Sequence, residues 1–167
     1  MKIRIIGCSG SGKTYLAKFL SEKYSVPCYD LDDIQWDNRT GGYGVKMPAE
    51  ERQALLQDML ARENWIIEGV YYAWVLQSFE DADIIYVLDM PPYLYKYRIL
   101  KRSVKRLLGI EKGKKETWRS VIALIKWTDT FQTRNMKEIK AILKAYGDKV
   151  VWLSSRKAVR ELMQEQE

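Results

Sequence analysis

At 167 residues, with no histidine and a net charge of +6, the chain has the length of one domain with a full core, and His-based catalysis and His-ligated metals are excluded. Hydrophobic residues make up 47% and charged residues 30%, no apolar run reaches membrane-spanning length, and the first residues lack a secretory apolar core. Cys8 and Cys28 form neither a metal-ligand spacing nor a disulfide framework, so a cytoplasmic home is expected. The charge is local. From Lys96 to Lys115 there are nine Lys or Arg against one acid, Glu111. That stretch carries +8, which leaves the rest of the chain at −2 and points to one anion-binding segment on a mildly acidic body.

In chain order, the run to Ile6 reads as a first strand abutting a glycine loop. Lys13 to Tyr24 reads as a helix with Leu16, Phe19 and Leu20 on one face. Pro27-Cys28-Tyr29 is a short second strand ending in an acidic cluster. Asn38 to Met47, with Gly41, Gly42 and Gly44, is a loop. Pro48 opens a helix that Ala49 to Arg62 continues. Trp65 to Ile67 and Ile84 to Leu88 are the third and fourth strands. Pro91 and Pro92 start a helix running to about Leu108. After a polar stretch, a long helical segment with a break runs from about Thr117 to Ala145. Val150 to Leu153 is the fifth strand and Arg156 to Gln164 the last helix. Such alternation predicts an α/β domain, a parallel sheet covered on both faces. The six tryptophans are expected mostly in the core.

Residues 7 to 14, Gly7-Cys8-Ser9-Gly10-Ser11-Gly12-Lys13-Thr14, match G-x-x-x-x-G-K-[ST] between a strand and a helix. Glycines let successive amides curl toward phosphate oxygens, and the helix N-terminus adds its positive end. Lys13 is expected on the β and γ phosphates of a nucleoside triphosphate, and the Thr14 hydroxyl on Mg²⁺. Gly7, Ser9, Gly10, Ser11, Gly12 and Tyr15 complete the nucleotide-contacting set. Cys8 is filler.

Three acidic positions lie where ligands gather, at the carboxyl ends of parallel strands. Asp30 and Asp32 are two apart, so on a continuing strand both face one side. One of them is expected to accept the proton of an acceptor hydroxyl or to bind a metal-bound water, the competing reading being a turn or cap role. Glu68 follows an apolar strand and precedes Gly69, the place of a Walker B acid in the Mg²⁺ shell. Asp89 is expected to cap the helix begun by Pro91 and Pro92.

Arg98, Arg102 and Arg106 are spaced i, i+4, i+8 and share a helix face, with Lys101 and Lys105 beside them. Guanidinium groups on a lid bind phosphoryl oxygens bidentately and exclude water as the lid closes. The competing reading is a nucleic-acid contact by the same residues, with Tyr93, Tyr95 and Tyr97 as stacking platforms.

The stretch Asp89-Met90-Pro91-Pro92 through Arg98 and Arg102 resembles adenylate kinase, and by that resemblance Arg98 and Arg102 are lid arginines on the ATP phosphates. Ile66-Ile67-Glu68-Gly69 is similar to its strand ending in Asp-Gly. Trp152 to Arg156 is similar to its last strand and adenine-side loop, which places Arg156 at the nucleotide. Over most of its length the chain resembles still more closely the bacterial DNA topology modulation proteins, a branch of the adenylate-kinase-like P-loop kinases. The carrying runs are GCSGSGKTYLAKFLSEKYSVPCYDLDDIQW, ENWIIEGVY, DADIIYVLDMP and VVWLSSRKAVREL. Tyr72 stands where adenylate kinase has an arginine for its acceptor nucleotide. Asp30 and Asp32 resemble the Asp-x-Asp of shikimate kinase, one for Mg²⁺ and one for the acceptor hydroxyl.

The resemblance implies a three-layer α/β/α P-loop NTPase fold of nucleoside-monophosphate-kinase type, with five parallel strands in the order 2-3-1-4-5. The expected function is ATP- and Mg²⁺-dependent phosphoryl transfer to a small hydroxyl or phosphate acceptor. Lys13, Arg98, Arg102 and Asp32 would be catalytic, and Thr14, Glu68 and Asp30 metal-binding. Asp32, Arg39 and Arg52 would hold the acceptor. The chain is one domain, with an acceptor-side segment at about 38–62 and a basic lid at about 98–135. The alternatives are a nucleotide-dependent DNA-binding protein and an ATPase with water as acceptor.

Overall fold

The computed structural model describes residues 1–37, 39, 44–110 and 117–165. Parts of the predicted acceptor-side segment and lid, at 38, 40–43 and 111–116, lie outside the described residues. Five strands, β1 (Lys2–Gly7), β2 (Cys28–Asp30), β3 (Trp65–Gly69), β4 (Ile84–Leu88) and β5 (Val150–Leu153), form one parallel sheet in the order β2-β3-β1-β4-β5. The helices are α1 (Lys13–Tyr24), α2 (Leu31–Gln35), α3 (Ala49–Leu60), α4 (Leu76–Glu80), α5 (Pro92–Leu107), α6 (Trp118–Thr130), α7 (Met136–Leu143) and α8 (Arg156–Glu165). Among the described residues no helix is long and apolar enough to cross a membrane.

Strand alternation sorts the core onto the two faces of the sheet. Ile3 and Ile5 of β1 point to one face with Leu16, Ala17 and Leu20 of α1, and α8 packs Val159 and Leu162 there. Ile6 points to the other face, among Leu31, Leu56, Phe79, Ile99, Phe131 and Ile139 from the remaining helices. Each fully buried Leu or Ile stabilises the fold by about 1.5–3 kcal/mol relative to exposure. The strand order brings β1 between β3 and β4, so the crevice at its carboxyl end opens where the chain winds in both directions.

Several expectations change. The second strand stops at Asp30, and α2 begins at once, because the Asp30 carboxylate accepts from the Asp32 amide at 2.9 Å and caps the helix. Asp30 and Asp32 are therefore not two positions of one strand. Helices α2 and α4 have five residues each, too few for a helical period to show in sequence. Pro91, with no side-chain cap, precedes α5. Asp89 is not its cap; it accepts from the Gln132 amide and pairs with Lys140 at 2.8 Å. The break in the long helical segment is a π-helical turn at Phe131–Asn135, between α6 and α7. Trp65 is fully buried, whereas Trp118, Trp127 and Trp152 are exposed. Tyr95 is buried in the core, and Tyr93 and Tyr97 stand in solvent.

Candidate active site

The loop after β1 is shaped by two glycines in the left-handed region, Gly10 (φ 75) and Gly12 (φ 106). Both also leave room for α5. A Cβ on Gly10 would lie 2.9 Å from the Tyr95 carbonyl oxygen, and one on Gly12 would lie 3.0 Å from an Arg98 guanidinium nitrogen. Arg98 accordingly lies against the loop, its Nη1 donating to the carbonyls of Ser11 at 2.5 Å and Gly10 at 3.2 Å. Gly12 is the N-cap of α1 and supplies no side-chain acceptor, and no acid sits in the first turn. The orphan amides of that turn stay open to an anion.

Three cations converge here. Lys13 is nearly buried and its Nζ donates to Cys8 O at 3.0 Å. Burial, and then the positive charge of Arg156 at the start of α8, hold Arg98 below its ordinary range. Arg102 and Arg106 follow on successive turns of α5, half-buried, and neither is without partners. Tyr15 is exposed on the first turn of α1, and Ser9 and Ser11 lie within the loop, Ser11 buried. Burial pushes the Cys8 thiol up to about 11, far from the range of a reactive thiolate.

On the other side of the loop the predicted metal residues meet. Glu68 pairs in register with Asp30 across β3 and β2 and is almost fully buried. Thr14 Oγ1 donates to Glu68 Oε1 at 2.5 Å. Burial, and then the Glu68 charge, push the Asp30 carboxyl up to about 7, the effect of two carboxylates close together. Among the described residues no group of three or more His, Cys, Asp or Glu converges. The donor set is instead one hydroxyl and two carboxylates, all oxygen. That fits Mg²⁺, which is held by one or two carboxylates with phosphate oxygens and water.

The acceptor side divides. Asp32 is exposed on the first turn of α2, and the Tyr71 hydroxyl donates to its Oδ1 at 2.6 Å. Arg52 of α3 lies over the Trp74 ring, 4.4 Å from its centroid, and its Nη1 donates to Gln35 Oε1 at 3.0 Å. The structure does not join Arg39 to Asp32. Its donors are taken up by Asp37 through Nε at 2.9 Å and by Glu51 through Nη1 at 2.7 Å and Nη2 at 2.8 Å. Arg39 is a brace between the segment after α2 and helix α3.

Sequence reading assigned no role to Arg4, and it marked Tyr72 only as a departure from adenylate kinase. Arg4 on β1 is fully buried beneath the site, its guanidinium 5.1 Å from the Phe79 ring centroid and donating to the carbonyls of Ile67 and Tyr71. Desolvation lowers it to about 9, opposed by the charges of Glu68 and Asp30. A charged residue inside an otherwise apolar strand was the available signal. Tyr72 donates to Glu138 on α7 at 2.7 Å, a link that no local pattern announces.

Comparison with known proteins bears on the family and the fold. Residues 3–119 match the family described as AAA domain. The chain belongs to the AAA-domain family. The AAA-domain stretch contains the phosphate loop, Asp30, Asp32, Glu68, Arg98 and Arg102, and Arg156 falls beyond it. An adenylate kinase of Clostridium kluyveri is 29% identical over 129 residues, 62% of this chain, and the match spans 59% of that protein's length. Among solved structures, a shikimate kinase from Acinetobacter baumannii in complex with shikimate has a TM-score of 0.59 at 17% identity, covering 98% of this chain and 89% of the other. A gluconokinase from Sinorhizobium meliloti 1021 has a TM-score of 0.57 at 13% identity, covering 99% and 88%. At such identities the likeness is one of fold, the five-stranded P-loop α/β architecture.

Proposed function

We propose that the protein is an ATP- and Mg²⁺-dependent phosphotransferase with a small hydroxyl or phosphate acceptor. The observation that carries this reading is the cluster of Thr14, Glu68 and Asp30 beside the open amides of α1, facing the cations Lys13 and Arg98. The 29% identity to an adenylate kinase supports it. Thr14, Glu68 and Asp30 would hold Mg²⁺, which supplies charge neutralisation of the phosphate oxygens.

The loop amides and Lys13 bind the triphosphate, and Arg98, with Arg102 a turn away, stabilises charge on the transferring phosphoryl group. Asp32 accepts the acceptor proton as the new oxygen–phosphorus bond forms and the bond to the ADP oxygen breaks. Arg52 is the acceptor-side cation. Two facts favour a hydroxyl acceptor over a nucleoside monophosphate: Arg39 is engaged by two carboxylates, and position 72 is a tyrosine. The inward position of Arg98 favours phosphotransfer over contact with a nucleic-acid duplex, for which this arginine row would face outward.

The test is Mg²⁺-dependent ADP release across nucleosides, nucleoside monophosphates and small hydroxy metabolites, with Lys13→Ala as control. An acceptor that speeds release at least about tenfold, with the control silent, is the expected result. ATP turnover indifferent to every acceptor would instead leave water as the acceptor. ATP binding without turnover, together with salt-dependent duplex binding that needs Arg98, Arg102 and Arg106, would replace the reading.

A further inference from the structure

The connection from β3 to α4, residues 70–75, contributes nothing to the chemistry assigned above, yet it is fastened on several sides. From below, Arg4 Nη2 donates to the Tyr71 carbonyl at 2.8 Å and Nη1 to that of Ile67 at 3.2 Å. Toward α7, the Tyr72 hydroxyl holds Glu138. Toward α2, the Tyr71 hydroxyl holds Asp32. Trp74 stacks at a tilt against Tyr71, 5.5 Å between ring centroids, and carries Arg52 on its ring. Arg52 in turn reaches Gln35, three residues after Asp32 and on the same side of α2. Asp32, Tyr71, Trp74, Arg52 and Gln35 thus close a circuit that joins α2, α3 and this connection.

Asp32 needs such a circuit. It sits exposed on a five-residue helix, where a lone carboxylate samples several rotamers. A phenol donating to a carboxylate at 2.6 Å is in the short, charge-assisted range and selects one of them. It occupies Oδ1 and leaves Oδ2 for a second donor. The tyrosine can act this way because its own backbone carbonyl is held by a guanidinium that is fully buried, lies over Phe79 and also donates to Ile67.

We propose that Tyr71 is a positioning residue for phosphoryl transfer, its hydroxyl aiming the Asp32 carboxylate so that the free oxygen meets the acceptor. This rests on the reading of Asp32 as the acceptor-orienting base. Tyr71→Phe removes the hydroxyl, with its bonds to Asp32 and Trp36, and keeps the ring that packs on Trp74, and the Asp32→Asn background isolates the part that acts through Asp32.

The experiment is a double-mutant cycle on kcat with Tyr71→Phe and Asp32→Asn, using the fastest acceptor of the panel, or water if none is faster. A misplacement of about 1 Å at a reacting group costs on the order of 100-fold in rate. Tyr71→Phe retains Asp32 and is expected to cost roughly tenfold in kcat, with the KM for ATP and the melting midpoint unchanged. In the Asp32→Asn background the same change is expected to have no further effect, because there is no carboxylate left to aim. Effects that multiply independently would sink the proposal, as would a Tyr71→Phe enzyme of wild-type kcat. A wild-type rate for Asp32→Asn would remove the underlying reading of Asp32, and Tyr71's role with it. That result is distinguishable, because it appears in the single variant.

Discussion

The phosphate loop and the acceptor wall lie on either side of one crevice and are built by opposite means. The loop is a backbone structure. Its shape comes from Gly10 and Gly12 in the left-handed region, its ligand groups are open amides, and even Arg98 is attached to it through carbonyl oxygens. The acceptor wall is a side-chain structure, in which Asp32, Tyr71, Trp74, Arg52 and Gln35 hold one another. A backbone site tolerates few residues and binds one kind of group, here phosphate. A side-chain site is remade by single substitutions, which would suit the acceptor half of the proposed phosphotransferase.

That contrast can be broken most severely at Lys13. Lys13→Ala removes the loop's own cation and is expected to lower ATP turnover by about 100-fold or more, measured as ADP release. Glu68→Gln comes next. It takes a charge from the Thr14–Glu68–Asp30 group, and the Mg²⁺ concentration for half-maximal turnover should rise about 10- to 100-fold. Unchanged Mg²⁺ dependence would show that Glu68 serves only as a partner for Thr14. Gly10→Ala tests whether the loop depends on its backbone. With φ 75 and 2.9 Å to the Tyr95 carbonyl oxygen, it is expected to cost about 2 kcal/mol in denaturant unfolding.

Substitutions in the acceptor wall should separate the two halves. Arg52→Gln loses the cation–π contact with Trp74 and is expected to cost about 0.5–1 kcal/mol of stability. It should raise the KM for the acceptor while the KM for ATP stays put. A matching rise for both substrates would mean that the halves are not independent. The smallest effect is expected from Arg39→Ala. Its pair with Glu51 stands in solvent and contributes little, and the mostly buried Asp37 keeps the backbone amide of residue 39 as a donor. A large loss of acceptor turnover in that variant would restore Arg39 to the site.

The same contrast explains what was legible in the sequence. The phosphate loop was readable because phosphate chemistry dictates residue types at fixed spacing. Glu68 was readable because it closes an apolar strand before a glycine. The strand order came with the family resemblance, and Arg98 from the arginine spacing on one helix face together with that resemblance; the structure has the expected order and seats Arg98 on the loop. Asp30 and Asp32 were found, but their geometry was misjudged, since nothing in three acidic residues tells a strand from a capped helix. Arg39 looked available because its second partner, Glu51, is twelve residues away. Arg4, Tyr71 and Trp74 carried no spacing rule at all. Their roles arise from contacts across β1, α2, α3 and the β3–α4 connection, which for Tyr71 and Trp74 leave no trace in local order and for Arg4 only a charge inside an apolar strand.

The π-helical turn at Phe131–Asn135 has a consequence for how this chain tolerates change in length. An extra residue in an α-helix turns everything after it by about 100°. Before the turn, Asp129 faces α5, where it meets Tyr95 and Lys96. After it, Glu138 faces Tyr72 and Lys140 faces Asp89. The turn acts as a phase shifter between two sets of partners that one straight helix with the same number of residues could not serve together. Because a π turn takes up one residue more than an α turn, deleting one residue there would close it into regular α-helix and leave both later contacts in place, whereas a deletion within α7 before Glu138 would re-clock them. In this stretch a difference of one residue is absorbed by the turn, and relatives with a straight helix one residue shorter should keep both contacts.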